Sequence, residues 1–281
     1  MSQVSKFKKL LDEPGIIVAP GAYDIVSAKI IANLNFQAVY IGSYAAQASL
    51  LGMPDSSLYS LTEISTLARN TVNAIGDTPL IVDVDHGFGN TITTRRTVTE
   101  LERAGAAAIH IEDHEFGKHT KLPVRLISKE LMVDKLRAAM DVRKNKDFVI
   151  IARTDAPHAT GYDDALDRMK TFDRIGVDMV FPAGWDMRRI PELKKAISTP
   201  IFTVARNDMT VKQMEELGIK VVVYFSQGLF TAYKAMMDLW LELKRSGSVE
   251  EMRDKMCTIQ EFDDFIGVPA IEELANKYKI Y

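Results

Sequence analysis

Residues 81–90 read IVDVDHGFGN, and the fold turns on how that stretch ends. Ile81, Val82 and Val84 belong in a covered strand, yet Asp83 and Asp85 interrupt them, and the chain then breaks at His86–Gly87–Phe88–Gly89–Asn90. Strands that are apolar at nearly every position are covered on both faces, as parallel strands are. Carboxylates gathered at the C-terminal end of such a strand fit an architecture whose active site collects at strand C-termini.

The pattern recurs along the chain. Short apolar runs at 16–19, 38–42, 80–85, 107–112, 148–153, 178–182, 200–204 and 220–225 alternate with amphipathic stretches. SLTE at 60–63 is a capping box that opens a helix running to Ile75. Gly105, Gly176 and Gly218 each follow a helical pattern and read as stops. Eight strand–helix units predict an α/β fold of the (β/α)8 TIM barrel type. A doubly wound open sheet would favour a Gly-rich first turn, and APGAYD at 19–24 carries no GxGxxG pattern. The whole of 1–281 reads as one barrel domain, with a core over 1–246 and a C-terminal helical extension over 247–281. The extension belongs to no further βα unit, so it packs on the barrel or on a neighbouring subunit.

The totals exclude several classes. A formal net charge of −3 provides no basic field for nucleic acid or anionic lipid. The longest apolar stretches are strand-sized, so no membrane partner is expected. The single cysteine, Cys257, rules out an internal disulfide and suits a reducing compartment. The first residues, MSQVSKFKKLLDEPG, show no leader pattern, and a cytoplasmic location is expected.

The strand ends are strongly polar: Gly42 and Ser43, Asp83 and Asp85, Glu112 and Asp113, and Arg153. Asp83 and Asp85 are two apart and share a face of one strand. With Glu112 on the next strand they repel unless a cation or protons neutralise them. Hard oxygens without a His/Cys cluster suit Mg²⁺, or Mn²⁺. A single such acid would be read as a strand cap or a salt-bridge partner; three on adjacent strand ends favour a metal seat. Two readings are open for Arg153. Its planar fork suits a substrate carboxylate or phosphonate, or it bridges to one of the acids. His110 faces either the barrel interior or the helices, and His114 and His119 flank the following loop.

PGAYDIVSAKI, LLGMPD ending in Asp55, VDVDHGFGN, RTVTELERAGAAAIHIED, DFVIIARTDA and FDDFIGVPAIEELANKY together resemble the isocitrate lyase/phosphoenolpyruvate mutase superfamily over nearly the whole chain. The resemblance implies a barrel whose last helix is exchanged between subunits, in a homotetramer built as a dimer of dimers. It also implies a bound Mg²⁺ and a small 2-oxo or 2-hydroxy acid, or a phosphonate, as substrate. By it, Asp85 ligates the metal while Asp55, Asp83 and Glu112 hold its waters. Ser43, the backbone of Tyr44 and Ala45, and Arg153 hold the substrate's anionic groups.

Departures from the family pattern narrow the reaction. Lyases of the superfamily carry a Lys-Lys/Arg-Cys-Gly-His run after the fourth strand. Here Lys118 is kept, but Thr120 stands where the cysteine would be. Ala183 replaces a glutamate after the sixth strand and Val204 an asparagine after the seventh. His86 matches the His–Gly–aromatic–Gly–Asn run of the oxaloacetate decarboxylase branch, although Ser226 stands where that branch has a histidine. Phosphonopyruvate hydrolase carries a threonine at the position of Thr120, but IARTDA is closer to the lyases and decarboxylases. The expected activity is therefore a Mg²⁺-dependent C–C lyase, decarboxylating an oxaloacetate-like diacid, with Lys118, Thr120, His86 and Arg153 as catalytic candidates. A P–C bond enzyme and a non-catalytic binding barrel are the alternatives.

Overall fold

In the computed structural model, which describes residues 2–116 and 120–280, eight parallel strands lie in chain order. They are β1 (Ile17–Ala22), β2 (Val39–Ile41), β3 (Leu80–Asp83), β4 (Ala108–Glu112), β5 (Val149–Thr154), β6 (Met179–Pro182), β7 (Phe202–Val204) and β8 (Val221–Tyr224). Hydrogen bonding runs β6-β5-β4-β3-β2-β1-β8-β7, and a parallel bridge between Val180 and Ile201 joins the two ends. This is the (β/α)8 barrel that the alternating apolar runs predict.

The strand pleat explains both core layers. Ile17, Ala19, Ile81, Ala108, Val149, Ile151, Val221 and Val223 fill the barrel interior, where Phe7 of the helix Gln3–Asp12 joins them. The alternate residues Val82, Ile109, Ile150 and Val222 pack against the surrounding helices. One consequence settles the site. Asp83 follows Ile81 on the inner face, His110 and Glu112 follow Ala108, and Arg153 follows Ile151.

Local chemistry sets the helix ends. Ser60 Oγ accepts from the Glu63 amide at 3.3 Å while Glu63 Oε2 accepts from the Ser60 amide at 2.6 Å, opening the helix Leu61–Ala74. Gly105 stops the helix Thr91–Ala104 at φ 89°, a left-handed conformation that suits glycine.

The chain divides into two compact units, Met1–Leu229 and Phe230–Tyr281. The division falls inside the helix Gln227–Ser246, whose end coincides with the start of the expected extension at 247. The second unit carries the helices Ile259–Ile266 and Val268–Tyr278, with large apolar side chains such as Trp240, Ile259 and Tyr278 exposed. Among the described residues no helix is long and apolar enough to cross a membrane.

Candidate active site

The site is built on the turn that follows β3. Asp83 ends the strand, and its Oδ1 accepts from the Asp85 amide at 2.9 Å. Asp85 then adopts φ 47°, Gly87 80°, Phe88 57° and Gly89 130°. Non-glycine residues seldom occupy this region, and a turn of this kind persists only where its surroundings enforce it. The Glu112 amide donates to the Asp85 carbonyl at 3.0 Å and Thr97 Oγ1 to the Gly87 carbonyl at 3.1 Å. Lys135, from the helix Lys129–Val142, donates to the carbonyls of His86 and Gly89.

That turn brings Asp83, Asp85 and Glu112 together. Each offers a carboxylate oxygen, the three lie within 4.8 Å of one another, and all three residues are buried. Carboxylates this close repel in a low-dielectric interior. A hard oxygen donor set of this kind fits a divalent ion that prefers oxygen ligands. Asp55 stands beside this trio rather than in it. Ser43 joins the two, with its amide donating to Asp83 Oδ2 at 3.2 Å and its hydroxyl to Asp55 Oδ2 at 3.1 Å. Gln47 Nε2 holds the other Asp55 oxygen at 2.7 Å. Tyr59 is buried, and its hydroxyl donates to the Asp83 carbonyl at 3.1 Å. Burial, reinforced by Asp85 and Asp83, pushes its pKa well above that of a free phenol.

Arg153 is more engaged than a simple anion clamp. Its Nε and Nη2 grip Asp155 at 2.9 Å each, and its Nη1 lies 3.0 Å from Glu112 Oε2 and 3.9 Å from Asp83 Oδ2. The acid bridge left open by the sequence is present, and the same residue also lines the cavity. Burial alone would lower its pKa; Asp155 and Glu112 outweigh this and hold the guanidinium firmly charged. Asp155 is fixed in turn by Asp113, whose Oδ1 accepts from the Asp155 amide at 2.9 Å. Asp113 Oδ2 accepts from Thr154 Oγ1 at 2.6 Å and from Arg168 at 3.1 Å. Burial raises the Asp113 pKa to about 6 against these hydrogen bonds. Lys135 is shifted the other way, to about 8, by burial that the charge of Glu112 partly offsets.

A cavity of about 520 Å³ opens over the strand ends. Its polar lining includes Ser43, Asp55, Asp83, His114, Arg153 and Arg206. Its apolar lining includes Phe181, Ala183, Trp185, Met187, Val204 and Phe225. Tyr40 also lines it, and its hydroxyl lies 2.9 Å from His110 Nε2.

A profile of the phosphoenolpyruvate phosphomutase family matches residues 7–244. The chain belongs to that family. It is thereby an enzyme of the isocitrate lyase/phosphoenolpyruvate mutase superfamily. A 2,3-dimethylmalate lyase from Eubacterium barkeri is 38% identical over 286 residues, covering 99% of this chain and 99% of that protein. An oxaloacetate decarboxylase from Paraburkholderia xenovorans (strain LB400) is 31% identical, covering 99% and 94%. The structure of an oxaloacetate acetylhydrolase in complex with the inhibitor 3,3-difluorooxalacetate superposes with a TM-score of 0.91 at 27% identity, covering 99% of this chain and 97% of that one.

The remaining sequence candidates fall in different places. Ser43, Tyr44 and Ala45 form the first turn of the helix Ser43–Leu51, and Ser43 and Tyr44 line the cavity. Thr120 lies in a neighbouring recess with Tyr44, Met53 and Asp55, and its Oγ1 accepts from the Leu122 amide at 3.1 Å. Lys118 and His119 lie outside the described residues. His86 contributes its carbonyl to Lys135, and its ring stands 6.5 Å from that of Phe88. His110 faces the interior, 3.6 Å from Asp83 Oδ2; its parity with Glu112 along β4 carried that signal. Sequence reasoning missed Asp155, Gln47, Tyr40 and Lys135. The first lies inside the ARTDA motif two residues past Arg153. The last interrupts an apolar helix stripe, a detectable anomaly.

Proposed function

We propose that this protein is a Mg²⁺-dependent lyase that breaks the C–C bond beside the 2-oxo or 2-hydroxy carbon of a small diacid, with an alkyl-branched 2-hydroxy diacid preferred. The observation that carries this reading is a buried carboxylate trio, one member of which, Asp83, lines a cavity whose lining also includes Phe181, Ala183, Trp185, Met187 and Val204. Asp83, Asp85 and Glu112 would hold the ion. Bound there, it supplies positive charge beside a substrate oxygen as the bond breaks.

This chain's residues do the rest. The start of the helix Ser43–Leu51, whose Tyr44 lines the cavity, favours a carboxylate, while Ser43 itself holds Asp83 and Asp55 in place. Arg153 stays charged whatever the working pH and presents that charge at the cavity surface. The Tyr40 hydroxyl, backed by His110, lines the cavity and is a group able to hold a proton at Oη. Phe181, Trp185 and Met187 exclude water, which strengthens each of these interactions. Cleaving a 2-hydroxy diacid takes the hydroxyl proton, turns the carbinol carbon into the carbonyl of a 2-oxo acid and leaves an electron pair on the departing fragment, which is then protonated.

Support for the branched substrate comes from Ala183 and Val204. They add methyl groups to a lining that also holds cations such as Arg153 and Arg206, which suits an alkyl branch carried beside carboxylates. The end-to-end match to a 2,3-dimethylmalate lyase agrees with it. Decarboxylation of unsubstituted oxaloacetate is the second reading, favoured by the His86 run and the decarboxylase relative. A panel of alkyl-substituted malates, malate, oxaloacetate and phosphonopyruvate, assayed with Mg²⁺, decides among them. The highest kcat/KM is expected for a branched malate, with a 2-oxo acid as product. Oxaloacetate as the best substrate would replace it with the second reading. Phosphate release from phosphonopyruvate would overturn C–C cleavage.

A further inference from the structure

One buried cation has no part in the chemistry described so far. Lys135 lies in the helix Lys129–Val142 on the buried stripe that includes Met132, Leu136 and Ala139. It is only 2% exposed. An apolar residue would satisfy the helix pattern there, and burying an ammonium costs several kcal/mol unless it is fully hydrogen-bonded.

Its partners explain the choice. Lys135 Nζ donates to the carbonyl of His86 and, at 2.9 Å, to that of Gly89. These two carbonyls bracket the centre of the turn in which Asp85, Gly87, Phe88 and Gly89 all have positive φ. Asp85 and Phe88 are not glycines, so this conformation needs an external restraint. The ammonium reaches from a helix outside the barrel and ties both ends of the turn to a rigid element. The charge of Glu112 partly offsets the cost of burying it.

We propose that Lys135 is a positioning residue for the metal seat: its hold on the His86 and Gly89 carbonyls fixes the turn that sets the Asp85 carboxylate beside Asp83 and Glu112. It touches neither substrate nor ion. The proposal rests on the metal reading of the trio. Groups behind the direct ligands commonly change metal affinity by about 10- to 100-fold when removed.

The test is binding of Mn²⁺, followed by the electron paramagnetic resonance signal of the free ion, in wild type and in Lys135→Met. Methionine keeps the stem length and apolar packing but removes the donors. Cooperative thermal melts in EDTA confirm that the variant folds. The expected result is a Mn²⁺ Kd raised at least about tenfold, with a matching rise in the Mg²⁺ concentration needed for activity. Substrate KM at saturating Mg²⁺ should stay unchanged, which a general loosening of the barrel would not leave so. A folded Lys135→Met that binds Mn²⁺ within about twofold of wild type overturns the proposal. If Lys135→Met does not fold, Lys135→Leu, which also lacks donors, carries the same criterion. Failure of both to fold assigns Lys135 to barrel stability alone and also overturns it. A wild-type protein that binds no Mn²⁺ overturns the metal reading, a result distinct from tight wild-type binding matched by the variant.

Discussion

Arg168→Met isolates the chain of contacts that fixes Arg153. Arg168 is 6% exposed, pairs with Asp113 at 3.1 Å and Asp164 at 3.0 Å, and donates to the Ile127 carbonyl at 3.1 Å. Asp113 is fully buried and, among the described residues, keeps the Thr154 hydroxyl and the Asp155 amide once Arg168 is gone. Methionine retains most of the stem's packing, so the loss is mainly an uncompensated buried charge. Breaking one side of such a pair costs about 3–5 kcal/mol. At roughly 2–4 °C per kcal/mol for a chain of this size, the melting temperature should fall by about 6–20 °C. Differential scanning calorimetry at pH 8 measures it, well above the Asp113 pKa of about 6. The double variant Arg168→Met/Asp113→Asn should recover part of the loss, because no charge is then stranded. A single-variant loss below about 1 kcal/mol, or a double variant no better than the single, would refute the reasoning. Loss of the relay should also raise substrate KM, since Asp113 fixes Asp155 and Asp155 fixes the Arg153 fork.

Gly21→Ala should prevent the barrel from closing, because the added carbon would run into the Phe225 carbonyl and stand 2.7 Å from the Tyr224 carbonyl; recovery of normal yields of soluble, cooperatively melting protein would contradict it. Asp173 Oδ1 accepts from the amides of Ser198 and Thr199 at 3.0 and 2.9 Å and from the Thr199 hydroxyl at 2.7 Å. Burial pushes its pKa up, but these donors hold it below 3.8, so its stabilising contribution is present above that value and is lost as pH falls. The stability gap between wild type and Asp173→Asn, from urea titrations across pH, should therefore be widest near neutrality and close in acid. Asp85→Ala should abolish the thermal stabilisation by Mg²⁺, which in wild type is about 2.7 kcal/mol at 100 times Kd; a variant that shifts like wild type in a melt series would place the ion elsewhere.

The barrel was legible because its strands are covered on both faces, so their runs are continuous and their helices close on recognisable caps such as Ser60 and Gly105. Asp83 and Glu112 were legible because the pleat has a period of two and both acids end adjacent strands. Asp85 does not share a strand face with Asp83 as the spacing suggests, since β3 ends at Asp83 and Asp85 joins the pair through a turn at φ 47°. What the pattern lacks is the partner of each charge. Arg153 reads equally well as a clamp or a bridge until Asp155 is seen across its fork, since two residues' separation at a strand end does not dictate the geometry of the turn. Lys135 could be noticed as a lysine in an apolar stripe, but its targets are backbone carbonyls, which carry no residue identity. The apolar part of the cavity lining followed from Ala183 and Val204, whereas Met187 enters on the 3-10 turn Met187–Arg189 and Trp185 on the segment before it, whose direction only the fold determines.

The most direct test of the central claim is an anomalous difference map from crystals of this protein soaked in Mn²⁺. A single strong peak among the carboxylates of Asp83, Asp85 and Glu112 is the predicted result. A map with no peak there, or with manganese only at exposed acids away from the cavity, would contradict it.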